Sequence, residues 1–317
     1  MSDKTTLVLT SGATDLDRAA DLLRAGQVVA FPTETVYGLG ADARNGEAVA
    51  AVYAAKGRPS FNPLIAHVAD LEQAQALVEW SDEAERLACA FWPGPLTMVL
   101  PLKPGHEVSG LVTAGLDTLA VRVPAHPVAQ GLLQRVGGPV AAPSANPSGR
   151  ISPTTAAHVL SGLDGRIAAV VEAGSSAVGL ESTIVGLSGD PVLLRPGGVP
   201  REEIERVLGR EVPSPEEVSK ITAPGQMLSH YAPRARVVLN HQRAEPGGVM
   251  LGFGDVDGDL NLSPAGSLTE AASNLFEYLH RLDAMARPIA VAPIPDAGLG
   301  AAINDRLQRA AADRDQA

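Results

Sequence analysis

The chain contains one cysteine, Cys89, in 317 residues. A single thiol excludes an internal disulfide and any zinc or iron–sulfur site built from several cysteines. Lysine is scarce too: Lys4, Lys56, Lys103 and Lys220 are the only four among 25 cations, so a lysine inside a motif carries more weight than usual. Cations are outnumbered by 36 carboxylates, for a net charge of −11. Residues 1–210 hold 16 basic and 22 acidic side chains, and residues 211–317 hold 9 and 14. Neither part presents the basic excess of a phosphate-binding nucleic-acid protein, which disfavours tight, direct binding of tRNA or DNA. No apolar run approaches the roughly 18 residues needed to cross a bilayer. Met1–Lys4 lacks the basic patch and apolar core of a signal peptide. The expectation is a soluble, cytoplasmic protein without a membrane partner. Hydrophobic residues at 45% and charged residues at 19% exclude intrinsic disorder.

At about 150 residues per domain the length suggests two domains. The first two thirds alternate short β-rich runs, among them Val28–Phe31, Leu96–Leu102 and Leu119–Val123, with helical stretches such as Asp15–Ala25, Glu47–Ala55 and Pro127–Val136. Thr14 reads as the cap of the first helix, with Gly26 past its end. Strands follow one another without a helix from Ile167 to Arg195. That favours a mixed α/β sheet over a regular doubly wound one. After a helix over Arg201–Leu208, the prolines Pro213, Pro215, Pro224 and Pro233 mark a linker. A small Rossmann-like α/β unit then follows, so the division is 1–210, a linker over 211–235, and 236–317. Its Gly298-x-Gly300 turn is a weak nucleotide signal and reads first as a structural turn.

Six motifs carry the candidate chemistry. Phe31–Gly40 follows an apolar strand with hydroxyls and glycines; it is either a polar turn or a place where a small polar ligand comes close. Lys56-Gly57-Arg58, with Asn62 and His67 beyond, is either a solvated charge pair or a phosphate clamp, lysine acting as a point charge and arginine as a fork. His67 on its own would be a hydrogen-bonded core histidine. Arg122 lies inside the apolar strand that follows Thr118, where an unpaired charge is costly, so it needs an anionic partner from protein or ligand. Ala141–Gly149, with Ser152 just beyond, is either a plain loop or a small-residue stretch, including Ser144 and Asn146, that lets backbone groups and hydroxyls reach a ligand. Gly179–Ile184 includes Glu181 and Ser182, and Arg195 repeats the situation of Arg122. Two strand arginines with Lys56 and Arg58 favour an anionic ligand. No G-x-S-x-G elbow, P-loop, H-E-x-x-H helix or Cys/His pair is present. Cys89 reads as a buried small hydrophobe. Catalysis would then work by positioning and charge stabilisation rather than through a covalent intermediate.

In this order the motifs closely resemble the threonylcarbamoyl-AMP synthase family, the two-domain form of the YrdC-like proteins. The resemblance extends over Pro224–Pro233, with His230-Tyr231 inside it, and over Asn304-Asp305-Arg306-Leu307. It implies a twisted, open, mixed and mostly antiparallel α/β sheet, plus the small Rossmann-like C-terminal domain. It also implies condensation of L-threonine, bicarbonate or CO2, and ATP into threonylcarbamoyl-AMP and pyrophosphate. A separate transferase complex would then use the product, so tRNA is met only indirectly. By the resemblance Thr35, His67, Arg122, Ala142 and Ser182 would hold threonine. Arg58, Asn62, Thr118, Ser144, Ser152, Arg195 and Tyr231 would surround ATP, with Lys56 near its phosphates. Lys56 and Arg58, with Mg2+ brought by ATP, would stabilise the transition state; no protein-ligated metal is expected. Met227 and Ser229 stand where some family members carry lysines. Two other classes stay open: a non-catalytic RNA-binding protein of this fold, and an enzyme adenylating another amino-acid carbamate. Tyr231 ends a stretch from residue 93 that contains no aromatic. It would either pin the linker to the first domain or close over the nucleotide as part of a lid.

Overall fold

The structure, a computed structural model, describes residues 5–215 and 230–312. The linker motif before His230, with Met227 and Ser229, lies outside the described residues. In chain order the elements are β1 (Leu7–Leu9), α1 (Ala13–Arg24), β2 (Val29–Phe31), β3 (Gly38–Asp42), α2 (Gly46–Lys56), β4 (Ile65–His67), α3 (Leu71–Leu77), α4 (Asp82–Phe91) and β5 (Leu96–Pro101). Next come α5 (Gly110–Thr113), β6 (Thr118–Arg122), α6 (Pro127–Val136), β7 (Val140–Ala141), α7 (Ala156–Leu163), β8 (Ala169–Val171), β9 (Thr183–Gly186), β10 (Val192–Arg195) and α8 (Arg201–Leu208). The C-terminal part holds β11 (Val237–Val238), β12 (Val249–Gly252), β13 (Leu260–Asn261), α9 (Leu268–Asp283), β14 (Ile289–Val291) and α10 (Leu299–Ala311).

The first ten strands form one sheet in the order β1-β8-β2-β3-β7-β4-β6-β5-β9-β10. Five of its nine pairings are antiparallel and four parallel. The sheet is therefore mixed and, by a narrow margin, mostly antiparallel. β11 to β14 form a separate, wholly parallel sheet in the order β11-β14-β12-β13. Helix α8 belongs with the first unit, since Ile204 and Leu208 join its main core together with Val212. No helix among the described residues is long and apolar enough to cross a membrane.

Local chemistry explains where the elements depart from expectation. Thr14 is not the cap of α1; the helix begins at Ala13 with Gly12 as cap. Asp15 accepts hydrogen bonds from the Thr10 amide (2.7 Å) and hydroxyl (2.6 Å), which folds the preceding turn onto the helix and starts it earlier. The stretch Gly38–Asp42, expected as part of a turn, is a fully buried strand. A β-carbon on Gly40 would stand 2.8 Å from the Phe31 ring and 3.0 Å from Val140, so glycine here lets neighbouring elements close up. Cys89 is exposed, not buried, because it falls on the solvent face of α4 while Ala84, Leu87 and Ala88 face inward.

The two units are docked by a shared apolar layer. Val36, Ile151 and Leu180 of the first unit belong to the same buried cluster as Leu275, Phe276 and Ile303 of the second. Gly179 adopts a left-handed φ of +71°, and a β-carbon there would meet the Ala272 carbonyl of α9 at 2.5 Å. Glycine is needed at that position for both reasons. His158 and His280 stack across the same junction with ring centroids 3.8 Å apart.

Candidate active site

A cavity opens between the ends of the central strands. It is lined by Thr33, Thr35, Val36, Gly38, Arg58, Ile65, His67, Arg122, Ala142, Pro143, Ser144, Glu181, Ser182, Arg195, His230 and Tyr231. All six sequence motifs and the end of the linker thus meet in one place.

The β2–β3 turn is shaped by Thr33. Its hydroxyl donates to the Val36 carbonyl (2.6 Å) and accepts from the Thr35 amide (3.2 Å), which holds Thr35 towards the cavity. β4 and β6 run parallel with His67 and Arg122 as direct neighbours in register. The Arg122 guanidinium donates from Nε to the Gly94 carbonyl (3.1 Å), from Nη1 to Thr35 Oγ1 (3.0 Å) and from Nη2 to Glu34 Oε1 (2.6 Å). Guanidinium carries five N–H donors. Three are used, which leaves one on each Nη for a carboxylate. Burial alone would raise the Glu34 pKa, but the charge and hydrogen bond of Arg122, together with backbone hydrogen bonds from Glu34 and Ala125, outweigh it and hold the carboxyl below its ordinary value. The anionic partner that Arg122 requires is therefore supplied by the protein itself.

His67 is 3% exposed. Burial and the Arg122 charge push its pKa down to about 3, so the ring is neutral at pH 7. Nδ1 sits 3.3 Å from the Ile65 carbonyl. The carbonyl fixes the proton on Nδ1, and Nε2 remains as an acceptor. His67 thus keeps the backbone hydrogen bond of a core histidine while lining the cavity.

Gly57 ends α2 in the left-handed region and turns the chain towards Arg58, which also lines the cavity. Arg58 is held by the carbonyls of Asn62 (3.2 Å) and Pro63 (2.8 Å). Burial pushes its pKa down to about 10. Arg195 donates from Nη2 to the Ser182 carbonyl (2.9 Å) and hydroxyl (3.2 Å), and Thr97 shares a proton with that hydroxyl at 2.7 Å. Burial lowers the Arg195 pKa as well. Both cations are desolvated and face the cavity, where an incoming anion gains more than it would in water.

Nine predicted residues reach the cavity: Thr35, Arg58, His67, Arg122, Ala142, Ser144, Ser182, Arg195 and Tyr231. Four do not line it. Lys56 is buried behind the wall, its ammonium donating to the carbonyls of Ser144 (2.6 Å) and Asn146. Burial, with the Arg58 charge beside it, holds its pKa well below the ordinary lysine value. Ser152 is also one layer back, donating to Glu181 Oε1. Thr118 begins β6 opposite Pro101, and is half-buried. Asn62 is fully buried, and neither amide atom has a partner among the described residues. Glu34 as the partner of Arg122 was not foreseen; a carboxylate within the same hydroxyl-rich turn was the available signal.

The cavity encloses about 50 Å3. A pocket for a drug-sized ligand holds roughly 300–1,000 Å3. His230 and Tyr231, from the end of the linker, are part of its lining. Tyr231 is buried, with its ring 5.7 Å from Phe276 and the Arg306 guanidinium 5.2 Å from its centroid. Its φ of +62° is a left-handed value that a tyrosine adopts only when its surroundings hold it there.

Comparison with known proteins decides what this arrangement belongs to. The family model described as "Telomere recombination", of the Sua5, YciO and YrdC proteins, matches residues 21–197. The model of the threonylcarbamoyl-AMP synthase C-terminal domain matches residues 199–312. The chain belongs to the threonylcarbamoyl-AMP synthase family. It is 42% identical to the threonylcarbamoyl-AMP synthase of Bacillus subtilis, over 96% of this chain and 95% of that protein. Identity to the Pyrococcus abyssi synthase is also 42%, over 93% and 94%. The crystal structure of P. abyssi Sua5 complexed with L-threonine matches with a TM-score of 0.89 at 40% identity, covering 96% of this chain and 98% of that one. Both units of this synthase-family chain, and their arrangement, thus have counterparts in a single relative.

Proposed function

We infer that the protein is an L-threonylcarbamoyladenylate synthase, a nucleotidyltransferase that converts L-threonine, bicarbonate or CO2, and ATP into threonylcarbamoyl-AMP and pyrophosphate. The observation that carries this reading is the Arg122 guanidinium. It is fixed on three sides by the protein, has two N–H groups left, and stands beside the neutral acceptor His67. That set suits a small amino acid, with Arg122 taking the carboxylate and Thr35, His67, Ala142 and Ser182 contacting the rest. The threonine crystallised with the P. abyssi relative supports the choice of substrate.

ATP lies on the side of Arg58 and Arg195, with Ser144 and Tyr231 at the wall. Thr118, further along β6, and Asn62 would meet the nucleotide when the cavity opens. The threonine nitrogen, once deprotonated, adds to CO2 to form a carbamate. A carbamate oxygen attacks the α-phosphorus, and pyrophosphate leaves in line. Arg58 and Arg195 offset the charge that gathers on the phosphoryl and leaving oxygens. Lys56 adds its charge from behind the Ser144 wall.

Mg2+ enters as part of the substrate MgATP and neutralises the phosphates. Glu181, the carboxylate in the wall, is already engaged by Ser152 and Arg306, so the phosphates and water fit that ion better than this chain's side chains do. His230 and Tyr231 act as a lid. They move aside for ATP and return to exclude water, which would hydrolyse both the carbamate and its adenylate. The acidic surface fits a product that is handed to a transferase, in the cytoplasm, without direct tRNA binding.

The test is pyrophosphate release from MgATP with threonine and bicarbonate omitted in turn. Release is expected only with all three, and glycine should substitute poorly. Equal release without threonine would overturn the reading.

A further inference from the structure

The C-terminal unit bonds to the carboxylate of the cavity wall, Glu181, through Arg306. Arg306 on α10 is fully buried, and it is the largest side chain to be so among the described residues. Its Nε donates to Glu181 Oε2 in the cavity wall (2.8 Å), and its Nη1 to Asp305 Oδ2 (2.6 Å). Glu181 uses its other oxygen to accept from Ser152. The same guanidinium lies 5.2 Å from the centre of the Tyr231 ring, whose far side rests on Phe276 of α9. One helical turn further on, the Arg309 carbonyl accepts from the His230 amide at 3.3 Å. A single face of α10 therefore holds both His230 and Tyr231. Nη2 of Arg306 has no hydrogen-bond partner among the described residues. A buried guanidinium with an idle donor is costly, and an apolar side chain would fill the space without that cost. Packing alone does not account for this arginine.

We propose that Arg306 is a positioning residue for the nucleotide, through which the C-terminal unit sets the closed arrangement of Tyr231 and Glu181. The proposal rests on the synthase reading for the identity of the nucleotide. It also assigns a task to residues 236–312, which otherwise only flank the reaction. The unit acts as the seat on which the lid lands. Glu181, shared between Ser152 and Arg306, ties that seat to the loop that leads back to Ser144. Threonine lies on the other side of the cavity, against Arg122, and Arg306 does not touch that side.

Two measurements test it. MgATP binding is titrated calorimetrically in the wild-type protein, in Arg306→Lys, and in Arg306→Met combined with Glu181→Gln. The second variant removes Arg306 and Glu181 together, and Asp305 keeps Arg309 as its partner. Loss of the fork should weaken MgATP about tenfold in each folded variant, as expected for a lost charge-assisted hydrogen bond. The KM for threonine should stay unchanged, a split that a general loss of stability would not produce. MgATP affinity equal to the wild type in either folded variant overturns the proposal. The second measurement needs no variant: amide hydrogen exchange in the wild-type protein with and without MgATP. Protection should appear at residues 300–309 as well as at 230–233; protection confined to residues before 215 overturns the proposal. Threonine-independent turnover by the wild type would instead overturn the synthase reading, leaving the nucleotide titrations to judge Arg306.

Discussion

Arg122 and Glu34 meet at 2.6 Å behind the cavity, and the pair fixes which face of the guanidinium is left for a ligand. Both side chains are nearly excluded from water, so neither charge is tolerated alone. Glu34→Gln keeps the shape and an acceptor but strands the arginine charge. Removing one partner of a buried pair destabilises by about 3–5 kcal/mol. The pH dependence follows from the depressed carboxyl. The folded pKa lies below the ordinary 4.5. Its contribution is therefore complete above about pH 4.5 and is lost as pH falls through the folded value. Urea denaturation at pH 7 and pH 4 should show the wild type losing more stability on acidification than Glu34→Gln. Parallel losses in the two proteins would show that the pair does not matter.

Arg122 and Arg58 both line the cavity, and with threonine proposed for the first and ATP for the second, their losses should separate the substrates. Arg122→Ala should weaken threonine roughly tenfold or more, and MgATP little, since a hydrogen bond to a charged group contributes about 1.5–3 kcal/mol. Arg58→Ala and Arg195→Ala should do the reverse. Calorimetric titration of each ligand decides it. An Arg122→Ala protein that binds threonine normally would remove that residue from the site.

Tyr231 is more than a lid residue, because its ring completes the core of the C-terminal unit against Phe276. Tyr231→Ala should therefore lower the melting temperature as well as ATP affinity; deleting a buried aromatic costs about 3–5 kcal/mol. The informative quantity is intact threonylcarbamoyl-AMP per pyrophosphate released, which should fall if water enters the site. A truncation that preserves the first unit must end beyond Pro213. Val212 lies in its core, and the Pro213 carbonyl accepts from the Leu193 amide at 2.8 Å. Cutting after Arg210 would remove both contacts. The truncated protein should stay folded, bind ATP weakly and give a poor yield; an unchanged yield would leave the linker as a tether.

Strand and helix positions in the first unit were legible because apolar runs and caps mark them locally. Arg201–Leu208 and Pro127–Val136 coincide with α8 and α6. β3 was not legible, since Gly38 and Gly40 serve close packing against Phe31, which is a tertiary demand with no local signature. The cationic character of the site could be read from arginines in apolar strands. Which of them the protein neutralises could not, because Glu34 lies 88 residues from Arg122 in sequence. Arg306 was visible only as part of a motif. Its role depends on a partner, Glu181, that lies 125 residues away.

Lys56 offers the sharpest test of how the wall is held. The sequence places it beside the phosphates, yet its ammonium donates to the carbonyls of Ser144 and Asn146 and does not line the cavity. Those carbonyls belong to the loop that runs from Ala142, proposed for threonine, through Ser144, proposed for ATP. If the ammonium works by holding this loop, Lys56→Met must disturb both ends of it. The KM values for threonine and for ATP should then rise together, and kcat should fall. A lysine that touches only phosphate would leave the threonine KM alone and raise that of ATP. Lys56→Arg would not rescue the loop, because the larger guanidinium has no room where the ammonium is already buried. Steady-state kinetics with each substrate varied in turn, at saturating levels of the others, distinguishes the two arrangements. A rise confined to ATP would return Lys56 to the phosphates and show that the ammonium leaves its carbonyls when the nucleotide binds.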